Sequence, residues 1–524
     1  MTKQLNETLP FLTQAYEGSK LTFSRGIERE GLRVDAHGNL AQTPHPAFLG
    51  SKLTHPTITT DFSESQLELI TPVSQTAEDA LTRLRDVHRF VYSGLQEEVL
   101  WSASMPCILP EDSGIPLAQY GTSNLGRLKT TYRNGLSNRY GRAMQTICAI
   151  HYNFSVEKDL WRHLSVLEQK TNNRDYRSER YFDLMRNFRR LSWLPIYLFG
   201  ASPVVCKSFV KDRPHELQGF DSDSLYRPNG TSLRNGGLGY QSETQSGMIN
   251  ICYNSLSSYI DTLAEAIRTP HETYQKIGVQ TQGVYQQVSG NVLQSEAEFY
   301  TTIRAKCVPP KGANFLHTLK DDGVEYIEVR LLDVNPYLPL GIDETQIHFL
   351  DAFLLYCLLI DSPEHYGALC DNVGLNAKAV VDNGQITSTM LQDINAERPL
   401  KDWGTEVLDG VMVVARWLDQ TNGVDNYARS VTAQQGKLNG VKKIPSVAMI
   451  DDMRAGEIPF YRFALDQALT HKAGFQEQAL SDAERQHFEE VTRVSMLEHA
   501  ELEAKPGPSF DDYLRQMLAT YESL

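Results

Sequence analysis

The sequence predicts an α+β fold: a mainly antiparallel sheet packed on one side only, with a helix-rich C-terminal third. Three observations carry this prediction. Four segments, around residues 28, 68, 151 and 328, alternate with period two and collect polar side chains on one face opposite an apolar one. Such alternation suits an antiparallel sheet with one covered face, because a sheet buried on both faces reads as an unbroken apolar run. Beyond about residue 340 the chain becomes helical without a strong linker. The expected division is therefore a sheet-and-helix region, 1–345, and a helical region, 346–524, packed on it as one unit.

Taken in order, the first strand is FSRGIEREGLRV (23–34), closed by the turn-like DAHG (35–38). Glu28 and Glu30 share a face, roughly 6 to 7 Å apart. Two like charges so close call for a cation, although water alone can solvate an exposed pair. In SQLELI (65–70), Leu67 and Leu69 take one side and Gln66 and Glu68 the other, with Asp61 just upstream. Thr76, with Asp79 three residues on, forms a capping pattern for a helix in which Leu81, Leu84, Val87 and Val91 recur at helical spacing. Residues 110–142 read as loop and short helix.

The strand QTICAIHYNF (145–154) sets Cys148, Ile150, Tyr152 and Phe154 against a core and turns Gln145, Ile147, His151 and Asn153 the other way. A helical region rich in arginine and aromatics ends at Gly200, before Pro203. A loop over 220–239 runs into RNGGLGY (234–240). In GVEYIEVRLLDVNP (323–336), Ile327, Val329 and Leu331 face one way and Tyr326, Glu328 and Arg330 the other. The apolar run 349–360, interrupted by Asp351, is too short to span a bilayer and reads as a buried helix. Ser481 and Glu484 make a capping box, and KPGP (505–508) breaks a late helix.

The balance of 65 acidic against 50 basic residues, a net charge of −15, argues against nucleic-acid binding. Seven cysteines form no CxxC pair, and an odd number cannot all pair within one chain, which points to a reducing compartment. No basic region followed by an apolar run opens the chain, so the expectation is a cytoplasmic protein with no membrane partner. The phosphate-binding signatures GxxxxGK[ST] and strand-linked GxGxxG are absent, as are HExxH and GxSxG. If the protein uses ATP, carboxylate-bound Mg²⁺ and arginine must hold the triphosphate. Several carboxylates with one imidazole suit Mg²⁺ or Mn²⁺, and more than one ion.

Five stretches carry a resemblance: RGIEREGLRV (25–34), TTDFSESQLELITP (59–72), LAQYGTSNLGRLKTTYRNGL (117–136), MQTICAIHYNFS (144–155) and EYIEVRLLDVNPYLPLG (325–341). In order and content they resemble the bacterial glutamate–cysteine ligases. The resemblance implies a glutamine-synthetase-like fold, a curved sheet whose concave face forms a funnel-shaped active site ringed by helices. It also implies a reaction: ATP phosphorylates the γ-carboxylate of L-glutamate, and the amine of L-cysteine displaces phosphate to give γ-glutamylcysteine. This is the first step of glutathione biosynthesis, and feedback inhibition by glutathione belongs to the same expectation.

By position in the matching motifs, Glu28, Glu30, Asp61, Glu68, His151 and Glu328 are the implied ligands of two or three Mg²⁺ or Mn²⁺ ions. Arg330 is implied to hold the transferring phosphoryl group, its planar fork matching phosphate oxygens, and with Glu328 it forms the catalytic pair. Arg304 and Lys306 join it on ATP. Gln145, Ile147, Asn153 and Arg234 are implied to bind glutamate, and Phe62, Tyr132, Arg133, Leu136, Tyr240 and Tyr300 to bind cysteine. Where relatives often have Ser-Asp before the LGY element, this chain has Gly236 and Gly237. The alternatives are a γ-glutamyl ligase with another amine acceptor and a guanidino-kinase-like phosphotransferase.

Overall fold

The computed structural model describes residues 3–211, 213–239, 243–249, 251, 253–394 and 396–524. A seven-stranded sheet lies at its centre, with strands β1 (Phe23–Val34), β2 (Ile58–Thr60), β3 (Gln66–Ile70), β4 (Val99–Leu100), β5 (Ala149–Val156), β6 (Ile303–Lys306) and β7 (Tyr326–Asp333). They run in the order β6-β7-β5-β1-β3-β2, with β4 on the end of β1, and all their pairings are antiparallel. After β7 the chain is almost entirely helical, apart from the hairpin Met390–Gln392 and Glu397–Pro399. The α+β architecture is the one the alternating segments predict.

The apolar run after β7 forms the helix Glu344–Leu359, started by Asp343, whose side chain accepts the Gln346 amide at 2.7 Å. It is buried nearly all round, as a helix without a polar face must be. Its internal carboxylate, Asp351, is fully buried and meets Arg25 of β1 at 2.6 Å and the Tyr152 hydroxyl of β5 at 2.6 Å. This buried ion pair ties the sheet to the C-terminal helices through one continuous core. Thr76 and Ser481 cap their helices as expected, the latter in a complete capping box. Among the described residues no helix is long and apolar enough to cross a membrane.

Three details depart from the expectations, and a fourth settles a point the cysteine count left open. The reverse face of β1 is not apolar: it carries Arg25, Arg29 and Arg33, all buried. Their partners are Asp351 for Arg25, the Trp101 carbonyl at 3.0 Å for Arg29, and nearby Thr43 with the more distant Glu98 for Arg33. Second, β5 begins only at Ala149, and Gln145 instead ends a one-turn helix, Arg142–Gln145, that follows Gly141 at φ +80°. Third, residues 124–140 form a 17-residue helix rather than a short one. Its glycines serve close approach: a Cβ on Gly126 would sit 2.3 Å from the Tyr120 carbonyl, and one on Gly135 would strike the Gln294 amide. Fourth, Cys370 is disulfide-bonded, whereas Cys107, Cys148, Cys206, Cys307 and Cys357 are free. An odd count forbids complete pairing but permits one bridge.

Candidate active site

Sheet register assembles the polar face. Glu30 of β1 stands directly opposite Glu68 of β3, and Glu28 opposite His151 of β5. Glu328 of β7 lies between Asn153 of β5 and Arg304 of β6. Side chains of directly opposed residues are neighbours on an antiparallel sheet, so pairing alone brings together residues up to 300 positions apart. Between Val329 and Leu332 the β7–β5 register shifts by one residue, leaving Arg330 and Leu331 opposite His151. Such a bulge re-aims a side chain, and Arg330 lines the cavity beside the sheet.

His151 is the hub of the carboxylates. Its Nδ1 lies 3.1 Å from Glu28 Oε2 and 3.7 Å from Glu328 Oε1, and its Nε2 lies 3.6 Å from Glu30 Oε1. Burial, and then the Arg330 charge, hold the imidazole below its ordinary pKa, so it is neutral near pH 7. With Nδ1 donating to Glu28, Nε2 keeps a lone pair on the Glu30 side. Glu28 also accepts from Asn153 Nδ2 at 2.8 Å, and Glu30 from the Ala149 amide at 2.8 Å.

The four glutamates are not electrostatically alike. Burial, reinforced by Glu28 and Asp61, pushes Glu68 up to about 8, and burial with Asp61 and Glu68 pushes Glu30 well above the carboxylate range. Glu28 is held below its ordinary value: burial is the largest influence and opposes this, but the His151 hydrogen bond with the His151 and Lys306 charges together overcome it. Burial likewise opposes ionisation of Glu328, and Arg330, Lys306 and His151 overcome it. Arg330 Nη1 donates to Glu328 Oε1 at 2.9 Å, and Lys306 Nζ stands 3.7 Å from Oε2.

The residues fit a divalent cation. Ligand atoms of Glu28, Glu68 and His151 all lie within 4.8 Å of one another. Glu328 Oε2 is buried without a hydrogen-bond donor. Carboxylate oxygens with one imidazole nitrogen form a donor set for Mg²⁺ or Mn²⁺. The raised pKa values of Glu30 and Glu68 record what such a face costs without a counter-charge.

The remaining predicted residues fall into three groups, those expected at glutamate, at cysteine and at ATP. Gln145 Nε2 donates to the Tyr300 hydroxyl at 2.9 Å, so the two proposed subsites touch. Arg234 lies in a 3₁₀ turn, Leu233–Asn235, donates to the Arg330 carbonyl and stands 3.6 Å from Asp333. The Ile147 carbonyl accepts from Gln66 at 3.3 Å. Tyr132, Arg133 and Leu136 lie on the 124–140 helix. The Arg133 guanidinium bonds the Asp61 carbonyl and stacks 4.5 Å from the Tyr120 ring, so much of its donor capacity is engaged. Phe62 is buried, and Arg304 donates to the carbonyls of Ala297 and Phe299. Tyr240 lies outside the described residues.

A cavity of about 990 Å³ opens on this face, with His151, Arg234, Tyr300 and Arg330 in its wall. Arg189 and Gln245 also line it, and neither was among the sequence candidates. Arg189 donates to the Ile251 carbonyl at 2.7 Å and stacks 4.4 Å from the Tyr253 ring. The arginine-rich stretch that carries it was the only available signal.

An antiparallel sheet face that gathers carboxylates, a neutral imidazole and guanidiniums beside a cavity suits cation-assisted phosphoryl transfer. The family model for glutamate-cysteine ligase matches residues 10–380, and the chain belongs to that family. It is 46% identical over 508 residues to the glutamate–cysteine ligase of Pseudomonas putida KT2440, covering 97% of this chain and 95% of the relative. It is 44% identical over 519 residues to that of Alcanivorax borkumensis SK2, covering 98% and 99%. A crystal structure of glutamate–cysteine ligase from Francisella tularensis in complex with AMP matches with a TM-score of 0.90 at 34% identity, covering 96% of this chain and 99% of that one.

Proposed function

We propose that the protein joins the γ-carboxylate of L-glutamate to the amino group of L-cysteine, converting ATP to ADP and phosphate, as the first step of glutathione biosynthesis. A γ-carboxylate oxygen attacks the γ-phosphorus of ATP and ADP departs. The cysteine amine then attacks the acyl carbon, the C–N bond forms, the C–O bond to phosphate breaks, and the ammonium proton is lost to solvent. The observation that carries the proposal is the convergence of Glu28, Glu30, Glu68, His151, Glu328 and Arg330 on one sheet face, with His151 and Arg330 in the wall of the cavity.

Both partners in the first step are anionic, so their approach needs fixed positive charge. Glu28, Glu30, Asp61, Glu68, His151 and Glu328 would hold two or three Mg²⁺ or Mn²⁺ ions. Bound there, the ions would offset the charge between the triphosphate and the γ-carboxylate. Arg330, fixed by Glu328, holds the phosphoryl group in transfer, and Arg304 and Lys306 bind the rest of ATP. That the Francisella tularensis relative is in complex with AMP supports nucleotide binding by this protein. Gln145, Ile147, Asn153 and Arg234 bind glutamate, while Phe62, Tyr132, Arg133, Leu136, Tyr240 and Tyr300 form the cysteine wall. The Gln145–Tyr300 hydrogen bond supports this adjacency, since the amine must reach the acyl carbon.

The proposal also takes residues 1–345 as the catalytic part and 346–524 as packed on it in one unit, supported by the continuous core and the Arg25–Asp351 pair. It places the protein in the cytoplasm and includes feedback by glutathione. ADP release with cysteine, 2-aminobutyrate or ammonia tests the acceptor. Cysteine should give the highest kcat/KM, and a preference for ammonia contradicts the assignment.

A further inference from the structure

A second buried charge cluster lies behind the proposed cysteine wall. Glu298, which ends the 3₁₀ turn Glu296–Glu298, is 1% exposed. Its Oε1 accepts from Arg139 Nη1 at 2.9 Å and from the Tyr140 hydroxyl at 2.7 Å, and its Oε2 accepts from the Gln294 amide at 2.7 Å. Arg139 is fully engaged: it donates to Gln287 at 3.0 Å and the Ser289 carbonyl at 2.6 Å, and stacks 4.2 Å from the Tyr274 ring. A carboxylate without solvent keeps its charge only where it is paired and hydrogen-bonded in this way.

This cluster spans two walls. Arg139 and Tyr140 are the last turn of the 124–140 helix, whose earlier turns carry Tyr132, Arg133 and Leu136. Glu298 lies two residues before Tyr300. Its carbonyl accepts from Gln245 Nε2 at 2.9 Å, while Gln245 Oε1 accepts the Tyr300 amide at 2.9 Å. The Tyr140 and Tyr300 rings meet edge to face at 5.6 Å. Backbone and side chain of one residue therefore lock the helix to the Tyr300 segment.

We infer that Glu298 is a positioning residue for the acceptor subsite: through Arg139, Tyr140 and Gln245 it fixes the distance between the 124–140 helix and Tyr300, and so sets the fit of the acceptor amino acid. The inference rests on the reading of Tyr300 as acceptor wall. Glu298 has neither the carboxylate face nor Arg330 among its hydrogen-bond partners; the glutamate and ATP groups reach its segment only through the Gln145–Tyr300 hydrogen bond and the Arg304 bonds to the Ala297 and Phe299 carbonyls, so the larger effect falls on the acceptor.

The test is steady-state kinetics on the full-length protein with each of the three substrates varied in turn, for Tyr300→Phe, Glu298→Gln, Glu298→Asp and Tyr140→Phe, with thermal melting alongside. Glu298→Gln should raise the cysteine KM about tenfold or more, which is the scale of one lost charged hydrogen bond. The KM values for glutamate and ATP should rise much less, by no more than about threefold, since Gln145 and Arg304 meet this segment through one hydroxyl and through backbone carbonyls that the substitution leaves in place. Tyr140→Phe, which removes one donor and leaves the ion pair, should give a smaller rise in the same constant. Glu298→Asp should recover part of the loss. A cysteine KM that moves with Tyr300→Phe but not with Glu298→Gln or Tyr140→Phe overturns the inference alone. A cysteine KM indifferent to Tyr300→Phe overturns the acceptor reading beneath it. Equal rises in all three KM values also overturn the inference, since they mark a general loss of structure.

Discussion

Glu68 gives the sharpest prediction, because the same residue links stability to the proposed chemistry. Its pKa rises from an ordinary 4.5 to about 8, through burial and the fields of Glu28 and Asp61. The metal-free native state therefore keeps a proton that the unfolded chain releases, and stability falls as pH rises through that window. One such group contributes a slope of about 1.4 kcal/mol per pH unit, hence roughly 2 to 3 kcal/mol between pH 6 and pH 8. Glu68→Gln removes the carboxylate without removing its volume. Urea unfolding in EDTA at pH 6, 7 and 8 should show the wild-type protein losing that much more stability than the variant. Adding Mg²⁺ should flatten the wild-type slope, since a bound cation favours the ionised carboxylate. Parallel pH profiles for the two proteins would refute the reasoning.

Three other outcomes follow from the same geometry. Glu328→Gln should lower turnover by at least about a thousandfold with an unchanged circular dichroism spectrum, because an amide does not ligate a hard cation as an anion and keeps only a neutral acceptor for Arg330. Arg330→Lys should cost more than about tenfold in kcat, since a point charge replaces a two-pronged donor; kcat within that limit counts against its place on the phosphoryl group. Asp351→Ala leaves Arg25 buried without its carboxylate and should destabilise the protein by about 3 to 5 kcal/mol in chemical denaturation. Ordinary stability in that variant would mean that water reaches the site.

Much of this site was legible in the sequence because sheets have a strict period. Once β1, β3, β5 and β7 are strands, Glu28, Glu30, Glu68, His151, Asn153 and Glu328 must lie on alternating positions, and only the register joining them is hidden. Register depends on which strands become neighbours, which is a property of the whole chain. The bulge that re-aims Arg330 is hidden for the same reason. Where the reading failed, a residue's local preference was overridden by a distant partner. Buried arginines on β1 look like surface charge until Asp351 arrives from more than 300 residues away. Gly126 and Gly135 look like loop breakers until their tight contacts with Tyr120 and Gln294 are seen. Glu298 sits in plain view beside Tyr300, but nothing local distinguishes a buried anchor from a solvated glutamate.

The central claim is that this sheet face activates glutamate by phosphorylation before the amine attacks. Its most direct test uses L-glutamate labelled with ¹⁸O in the γ-carboxylate, with ATP, Mg²⁺ and cysteine, and mass spectrometry of the phosphate released. The account predicts one ¹⁸O in each phosphate formed alongside γ-glutamylcysteine, carried there when the acyl C–O bond breaks. Unlabelled phosphate, with the amide formed all the same, would contradict it.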